Sequence, residues 1–329
     1  MKEINIEGIL NRLKEEIVEN VKTYPLYIAF SGGMDSTVLA CVAKEALGKE
    51  NVKLIHVVYG PYTYFKTLEN VLRITVKLGI DLRLIDHQKE MEAILKYGPS
   101  CNLCTKKVKL GGVKECVRDE NCLVATGSNQ SDSWGSYGQK IMNGTYSPLL
   151  DLDKDELREL LFHYGFKIED VRAGESVLRE GCKLKHLMKM LAVPEYHGRA
   201  CVMANEILLD ILSQAGVKSE MANVKIIGPL KTNIALINVK PFIDKKLENI
   251  IIERIKKEKT IADAFFVNRP IRLFIKANPS IYRIADSKKW LEKGKFAAEF
   301  AIPPEVVWSE SPNNKMRTYH AISFEYVEK

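Results

Sequence analysis

The run Ser31-Gly32-Gly33-Met34-Asp35-Ser36-Thr37 puts two glycines, three hydroxyls and one carboxylate into seven residues. Consecutive glycines let a backbone turn sharply and approach a ligand closely. The hydroxyls and the free N–H groups of a following helix start then point into one concavity, which suits phosphate. A carboxylate among phosphates is repelled unless a divalent cation such as Mg2+ lies between them, and Asp35 fits that role. The bland reading of the same run is an ordinary strand-to-helix turn with a Ser cap. A second group of residues consists of thiols. Cys101 and Cys104, separated as CxxC, follow Gly98-Pro99-Ser100 in a polar loop, and Cys182 follows Arg179-Glu180-Gly181. CxxC spacing lets two thiolates reach one metal or cluster, but it is equally half of a zinc site, a dithiol redox pair or a chance pair. No second CxxC exists. Cys201, after His197-Gly198-Arg199, is a further candidate, whereas Cys41, Cys116 and Cys122 sit in apolar or helical contexts and read as buried. The six histidines are scattered singly and form no HxH or HExxH pattern.

These residues need elements to hold them. Tyr27-Ile28-Ala29-Phe30 reads as a strand entering the glycine turn, and Val38 to Ala43 as the helix leaving it. An amphipathic helix over 7–22 precedes them. After them come a strand over 52–58, a helix over 64–78 closed by Gly79, and a strand over 81–86. This alternation predicts a parallel α/β sheet, whose ligands gather beyond the carboxyl ends of the strands. A short helix over 89–96, a strand over 123–125 and a strand over 146–150 follow. The helix after Asp153 starts with an Asp153/Glu156 capping box and Leu152/Leu157 staple and ends at Gly165. Beyond Arg199 the order changes to a helix, strands over 224–227 and 234–239, a helix over 245–257, and strands over 271–276 and 321–327. Residues 303–314 read as loop. The boundaries drawn are 1–170 for an ATP-binding domain, 171–200 for a linker with a cysteine-bearing helix, and 201–329 for an α+β substrate-binding or dimerisation domain.

With 329 residues, 46% of them hydrophobic, the chain has material for two ordinary cores. No window approaches a membrane span and the N-terminus has no apolar signal core, so a cytoplasmic address is expected. Seven cysteines in that setting argue for packing, metal or redox roles rather than a disulfide framework. The net charge of +7 is concentrated between Lys240 and Lys295, where fifteen Lys and Arg stand against seven Asp and Glu. That segment is either a solvated lysine-rich face or a surface for a nucleic acid. A Walker A run GxxxxGK[ST] is absent, which disfavours γ-phosphate chemistry.

Ser31-Gly32-Gly33-Met34-Asp35-Ser36 resembles, at all six positions, the SGGxDS signature of the PP-loop, or N-type ATP pyrophosphatase, superfamily. The resemblance implies an adenine nucleotide alpha hydrolase-like (Rossmann-like) α/β domain that splits ATP between its α- and β-phosphates to adenylylate a substrate. Ser31, Gly32, Gly33 and Ser36 would hold pyrophosphate, and Asp35 would stand near phosphate and Mg2+. Thr126, Gly127, Asn129 and Asp132 match the looser pattern of the loop that helps close the nucleotide pocket. Ser147-Pro148-Leu149-Leu150 and Asp155 to Leu160 are similar to the LarE-like and tRNA-thiolating branches, of which the 2-thiocytidine synthetase type holds a 4Fe-4S cluster by a CxxC and a third cysteine. On that resemblance Cys101, Cys104 and Cys182 are the expected cluster ligands, with Cys201 as the other candidate for the third. Three thiolates leave one iron open to sulfide or substrate. The expected function is an ATP-dependent sulfurtransferase with ATP, Mg2+, tRNA or a nucleotide-derived small molecule, and a sulfur donor as partners. A homodimer is compatible and a membrane is not expected. Two alternatives stay open: an amide or amine ligase of the same superfamily using ammonia, and a nucleotide-binding regulatory module without turnover.

Overall fold

The computed structural model describes residues 4–22, 25–118, 122–131, 138–167, 182–190, 193–313 and 316–327. They divide into two compact units, one made of 1–60, 65–87 and 105–175, the other of 61–64, 88–104 and 176–329.

The first unit is built on a six-stranded sheet. Its helix α1, Ile6–Asn20, starts from Asn5, whose side chain accepts from the Gly8 amide, and buries Leu10, Leu13 and Ile17 on one face. Each such side chain contributes about 1.5–3 kcal/mol on burial. Strand β1, Leu26–Ala29, is followed by α2, Met34–Leu47, then β2, Val52–Val58, α3, Phe65–Leu78, and β3, Asp81–Asp86. Strands β4, Val124–Ala125, β5, Ile141–Met142, and β6, Thr145–Tyr146, complete the order β3-β2-β1-β4-β6-β5. All neighbours are parallel except β5 and β6. The core gathers Ile28, Val38, Leu39, Leu54, Ile74 and Leu157, all completely or almost completely shielded from solvent. Apolar residues fill β1 and β2 on both faces, as a sheet covered by helices on each side requires.

Strand β1 has β2 on one side and β4 on the other, with Tyr27 opposite Val124 and Ile28 opposite Ala125. The chain therefore leaves β1 towards one edge of the sheet and later returns to the far side of β1 as β4. Such a reversal opens a crevice at the carboxyl ends of the two strands. The turns after β1 and β4 face each other across it.

The sequence predicts one strand over 146–150, but the structure keeps only Thr145–Tyr146 and turns at once, with the Leu150 amide donating to the Ser147 carbonyl at 3.2 Å. Pro148 has no N–H to offer a ladder, and the turn satisfies the chain instead. The helix Lys154–His163 has the expected capping box, Asp153 accepting from the Asp155 and Glu156 amides and Glu156 accepting from the Asp153 amide.

The second unit contains two three-stranded sheets. One runs β7, Met221–Ile227, β8, Ile234–Lys240, and β9, Asp263–Phe266, with β7/β8 antiparallel and β8/β9 parallel. The other has β10, Ile271–Ala277, between β11, Glu305–Glu310, parallel to it, and β12, Tyr319–Tyr326, antiparallel. Helices Arg199–Gln214 and Lys245–Lys256 belong to the same unit. Its core includes Leu236, Leu273, Ile275, Phe296 and Phe300. Residues 303–314 are not all loop: Glu305–Glu310 is a strand whose residues alternate between half-buried and exposed. Among the described residues no helix is long and apolar enough to cross a membrane.

Candidate active site in the first unit

The glycine turn is closed by its own hydroxyls. The Ser31 amide donates to Ser36 Oγ at 3.3 Å, the two serine hydroxyls lie 3.1 Å apart, Ser36 Oγ donates to the Gly33 carbonyl at 3.1 Å, and the Gly33 amide donates to Ser31 Oγ at 3.3 Å. Gly32 has φ +70°, a left-handed conformation that favours glycine, and a Cβ there would stand 2.9 Å from Val71 Cγ2. Asn70 on α3, itself buried, donates to the Gly32 carbonyl at 3.1 Å and accepts from Arg73 at 2.7 Å. Gly33 caps α2 without any side-chain bond to the first-turn amides, which leaves the positive end of the helix available to an anion.

The opposite turn approaches along its backbone. A Cβ on Gly127 would lie 2.9 Å from both the Asp35 carbonyl carbon and the Ser36 nitrogen, so glycine is what allows the contact. Thr126 Oγ1 is 2.9 Å from Ser147 Oγ and 3.2 Å from Ser128 Oγ. Asn129, fully shielded from solvent, accepts from the Ser131 amide and hydroxyl and donates its own Nδ2 to Asp35 Oδ2 at 3.1 Å. Lys154, the first residue of the capped helix, donates to the same oxygen at 2.7 Å. The other oxygen, Asp35 Oδ1, is buried with no hydrogen-bond partner. A buried, unpartnered carboxylate oxygen is costly unless a cation or donor arrives. The residues present therefore fit a divalent cation at Asp35.

The structure thus brings Ser31, Gly32, Gly33, Asp35, Ser36, Thr126, Gly127 and Asn129 to one crevice. Asp132 lies outside the described residues. Lys154, Asn70 and Ser147 join the site as partners that no local motif marks. For Lys154 the available signal was its place at the first turn of a capping-box helix just beyond a sheet strand.

The cysteines behave differently. Cys101 is exposed and opens a short helix, Cys101–Leu103, while Cys104 on its far side is buried. Cys182 is half-buried and close enough to Cys201 for its charge to push that thiol further up, on top of the larger effect of burial. Among the described residues no group of three or more His, Cys, Asp or Glu side chains is arranged to hold a metal. Cys101 stands in solvent and Cys104 in the interior, and with no third ligand gathered beside them among the described residues the expected cluster of Cys101, Cys104 and Cys182 is corrected. Residues 171–181 and 191–192 of the 171–200 stretch lie outside the described residues.

Comparison with known proteins agrees with the crevice and not with the thiols. Residues 6–168 match the family model described as NAD synthase. The chain is similar to the NH(3)-dependent NAD(+) synthetase of Pyrococcus furiosus, 30% identical over 171 residues, which cover 49% of this chain and 64% of the relative. It is also similar to that of Campylobacter jejuni subsp. doylei, 27% identical over 153 residues, covering 44% and 61%. A solved NH3-dependent NAD synthetase from Campylobacter jejuni aligns with a TM-score of 0.43 and 21% identity over 51% of this chain and 77% of the other. The chain thus spans a little under two thirds of these curated relatives' length. The family model and the two sequence relatives overturn the expectation of a sulfurtransferase with an iron-sulfur cluster acting in tRNA thiolation: the relatives are named for ammonia-dependent synthesis. The signature loop, the crevice at β1 and β4 and the family model converge on residues 6–168, which form a PP-loop ATP pyrophosphatase-type domain.

Proposed function

We propose that the chain is an ammonia-using ligase that activates a carboxylate with ATP and converts it to an amide. Asp35 carries this reading: its Oδ2 is fixed by Lys154 and Asn129 while its buried Oδ1 lacks a partner, directly beside the open first turn of α2. ATP binds with its β- and γ-phosphates on the turn formed by Ser31, Gly32, Gly33 and Ser36. Gly127 and Asn129 close the crevice from the other side. A substrate carboxylate oxygen attacks the α-phosphorus and the bond to the pyrophosphate oxygen breaks. Amides of the turn and Lys154 stabilise the charge that collects on pyrophosphate. Mg2+, held at Asp35, would add Lewis-acid stabilisation to the same leaving group. Ammonia then donates its lone pair to the acyl carbon, the carbon–oxygen bond to AMP breaks, and a proton is lost to solvent. Adenylylation is needed because a carboxylate oxygen is a poor leaving group and AMP a good one.

By analogy with the relatives' names, the acid is deamido-NAD and the product NAD+. Residues 1–170 carry the ATP chemistry, and 201–329 recognise the substrate or a second copy of the chain. The test is release of pyrophosphate and AMP from ATP with ammonium and deamido-NAD present. Asp35→Asn should lower the rate by about 100-fold or more while the fold is retained, the loss reported for removing one such electrostatic group. Pyrophosphate release that ignores both ammonium and deamido-NAD would reject the ligase, and unchanged release by Asp35→Asn would reject the site.

A further inference from the structure

The basic stretch between Lys240 and Lys295 has no part in the ATP chemistry, and it lines most of a cavity of about 330 Å3 within the second unit. One wall is Glu248, in the first turn of the helix Lys245–Lys256 and only 3% exposed. Its carboxylate accepts from Asn268 Nδ2, at 2.9 Å to one oxygen and 3.2 Å to the other, and from the exposed Lys245 ammonium at 2.7 Å. The Asn268 bonds tie the helix to the turn between β9 and β10. Arg269 follows Asn268 in that turn, and Pro270 after it disfavours a helical backbone there. The turn is held further by the Val327 amide, which donates to the Pro270 carbonyl at 3.0 Å. The Arg269 guanidinium lies 3.6 Å over the ring of Tyr326, the last residue of β12. That ring is pinned in turn, because its hydroxyl donates to the Phe266 carbonyl at 3.1 Å.

Lys245 is matched by Glu248, but Arg269 is exposed and, among the described residues, its guanidinium donates to no carboxylate or carbonyl. One positive charge is therefore left over at the cavity. Stacking on an aromatic face fixes the plane of a guanidinium and leaves its N–H edge open to in-plane bonds, which a carboxylate takes up as a parallel pair. Lys245, bonded once to Glu248, has two further N–H bonds to give at the same cavity. A single carboxylate cancels the surplus charge, whereas a phosphate dianion leaves a second negative charge unmatched in a partly enclosed space. Ile252, Ala264 and Phe265 line the rest of the cavity and offer a floor to an apolar body. We propose that this cavity binds a small monocarboxylate with an apolar body, its carboxylate on Arg269 with Lys245 beside it. The site lies wholly in the second unit and is independent of the ligase reading.

The probe is benzoate, titrated calorimetrically into the full chain at constant ionic strength. One saturable equivalent is expected. Arg269→Lys keeps the charge and loses the planar fork, and it should weaken binding by about tenfold or more, as loss of a charge-assisted hydrogen bond does. Arg269→Gln, which loses the charge as well, should weaken it at least as much. Because Arg269 is exposed, both variants should keep the wild-type melting temperature. Lys289→Met removes an exposed charge of the same basic stretch outside the cavity and should leave the affinity unchanged, which separates a site from diffuse attraction to the whole face. Benzamide, of the same shape without the charge, should bind at least about tenfold more weakly. Phenyl phosphate should bind no more tightly than benzoate. Absence of saturable benzoate binding, wild-type affinity in either Arg269 variant, an equal loss in Lys289→Met, equal affinity for benzamide, or tighter binding of phenyl phosphate would each overturn the proposal. None of these titrations involves ATP, so failure of the ligase reading would show in the pyrophosphate assay and leave this result standing.

Discussion

Replacing Gly127 by Ala tests whether the two turns act as one rigid cradle. The added Cβ would sit 2.9 Å from the Asp35 carbonyl carbon and the Ser36 nitrogen and 3.0 Å from Asp35 Cβ. Ordinary contact begins near 3.4 Å, so the turns must separate by about 0.5 Å along a backbone that cannot rotate out of the way. Overpacking of this kind costs about 1–3 kcal/mol. For a unit of this size that is a fall in Tm of roughly 3–10 °C. The same displacement moves Asp35 and the first turn of α2 relative to Asn129. A misplacement of about 1 Å costs on the order of 100-fold in rate, so half of it should lower ATP-dependent pyrophosphate release by about tenfold. The matched control is Gly294→Ala, where a Cβ meets no heavy atom within 4 Å. That change should be neutral or slightly stabilising. Thermal melts and pyrophosphate assays on both variants decide the matter. A Gly127→Ala protein with the wild-type Tm and rate would show that the turn after β4 yields freely and that the close approach does not organise the site.

Acid should weaken the fold before the carboxylates titrate. His56, His186, His197 and His320 are all buried, and burial lowers each below 6.5. Between those lowered values and 6.5 the unfolded chain binds protons that the folded chain refuses, so stability is full above about pH 6.5 and falls as pH decreases. Each such proton contributes about 1.4 kcal/mol per pH unit. Urea midpoints at pH 7.5 and 5.5 should differ accordingly, and His56→Gln should reduce the difference; equal midpoints in the wild type would refute the assignment. Thiol labelling offers a second check. Cys101 is exposed, whereas burial pushes the Cys41 thiol up to about 12 and raises that of Cys201 further. Iodoacetamide at pH 8 should therefore modify Cys101 in the native protein and leave Cys41 and Cys201 unmodified until denaturant is added. Peptide mapping that finds either buried thiol alkylated alongside Cys101 would contradict the packing.

The parts of the site that are local in sequence were legible there, and those made by distant pairing were not. Ser31 to Ser36 announces itself because one short run must contain the turn, the hydroxyls and the helix start. Strands β2 and β3 likewise have the predicted limits, Val52–Val58 and Asp81–Asp86, since each is a compact β-branched or alternating segment. Strand β11 looks like loop in the sequence because Pro303-Pro304 and Ser311-Pro312 frame it. Its pairing with β10 supplies the order that its own residues do not signal. Lys154 illustrates the same limit at the site: its bond to Asp35 joins residues 119 apart, and only the return of the chain beside β1 brings them together. The cysteines failed for the opposite reason. CxxC is a local pattern, but its meaning depends on burial and on further ligands, and here Cys101 is exposed, Cys104 is buried and no metal-holding group of three or more His, Cys, Asp or Glu forms among the described residues. A short motif is thus informative when its chemistry closes within the motif, as the serine hydroxyls and glycines do. It is weak when the chemistry needs partners that only the tertiary fold can deliver.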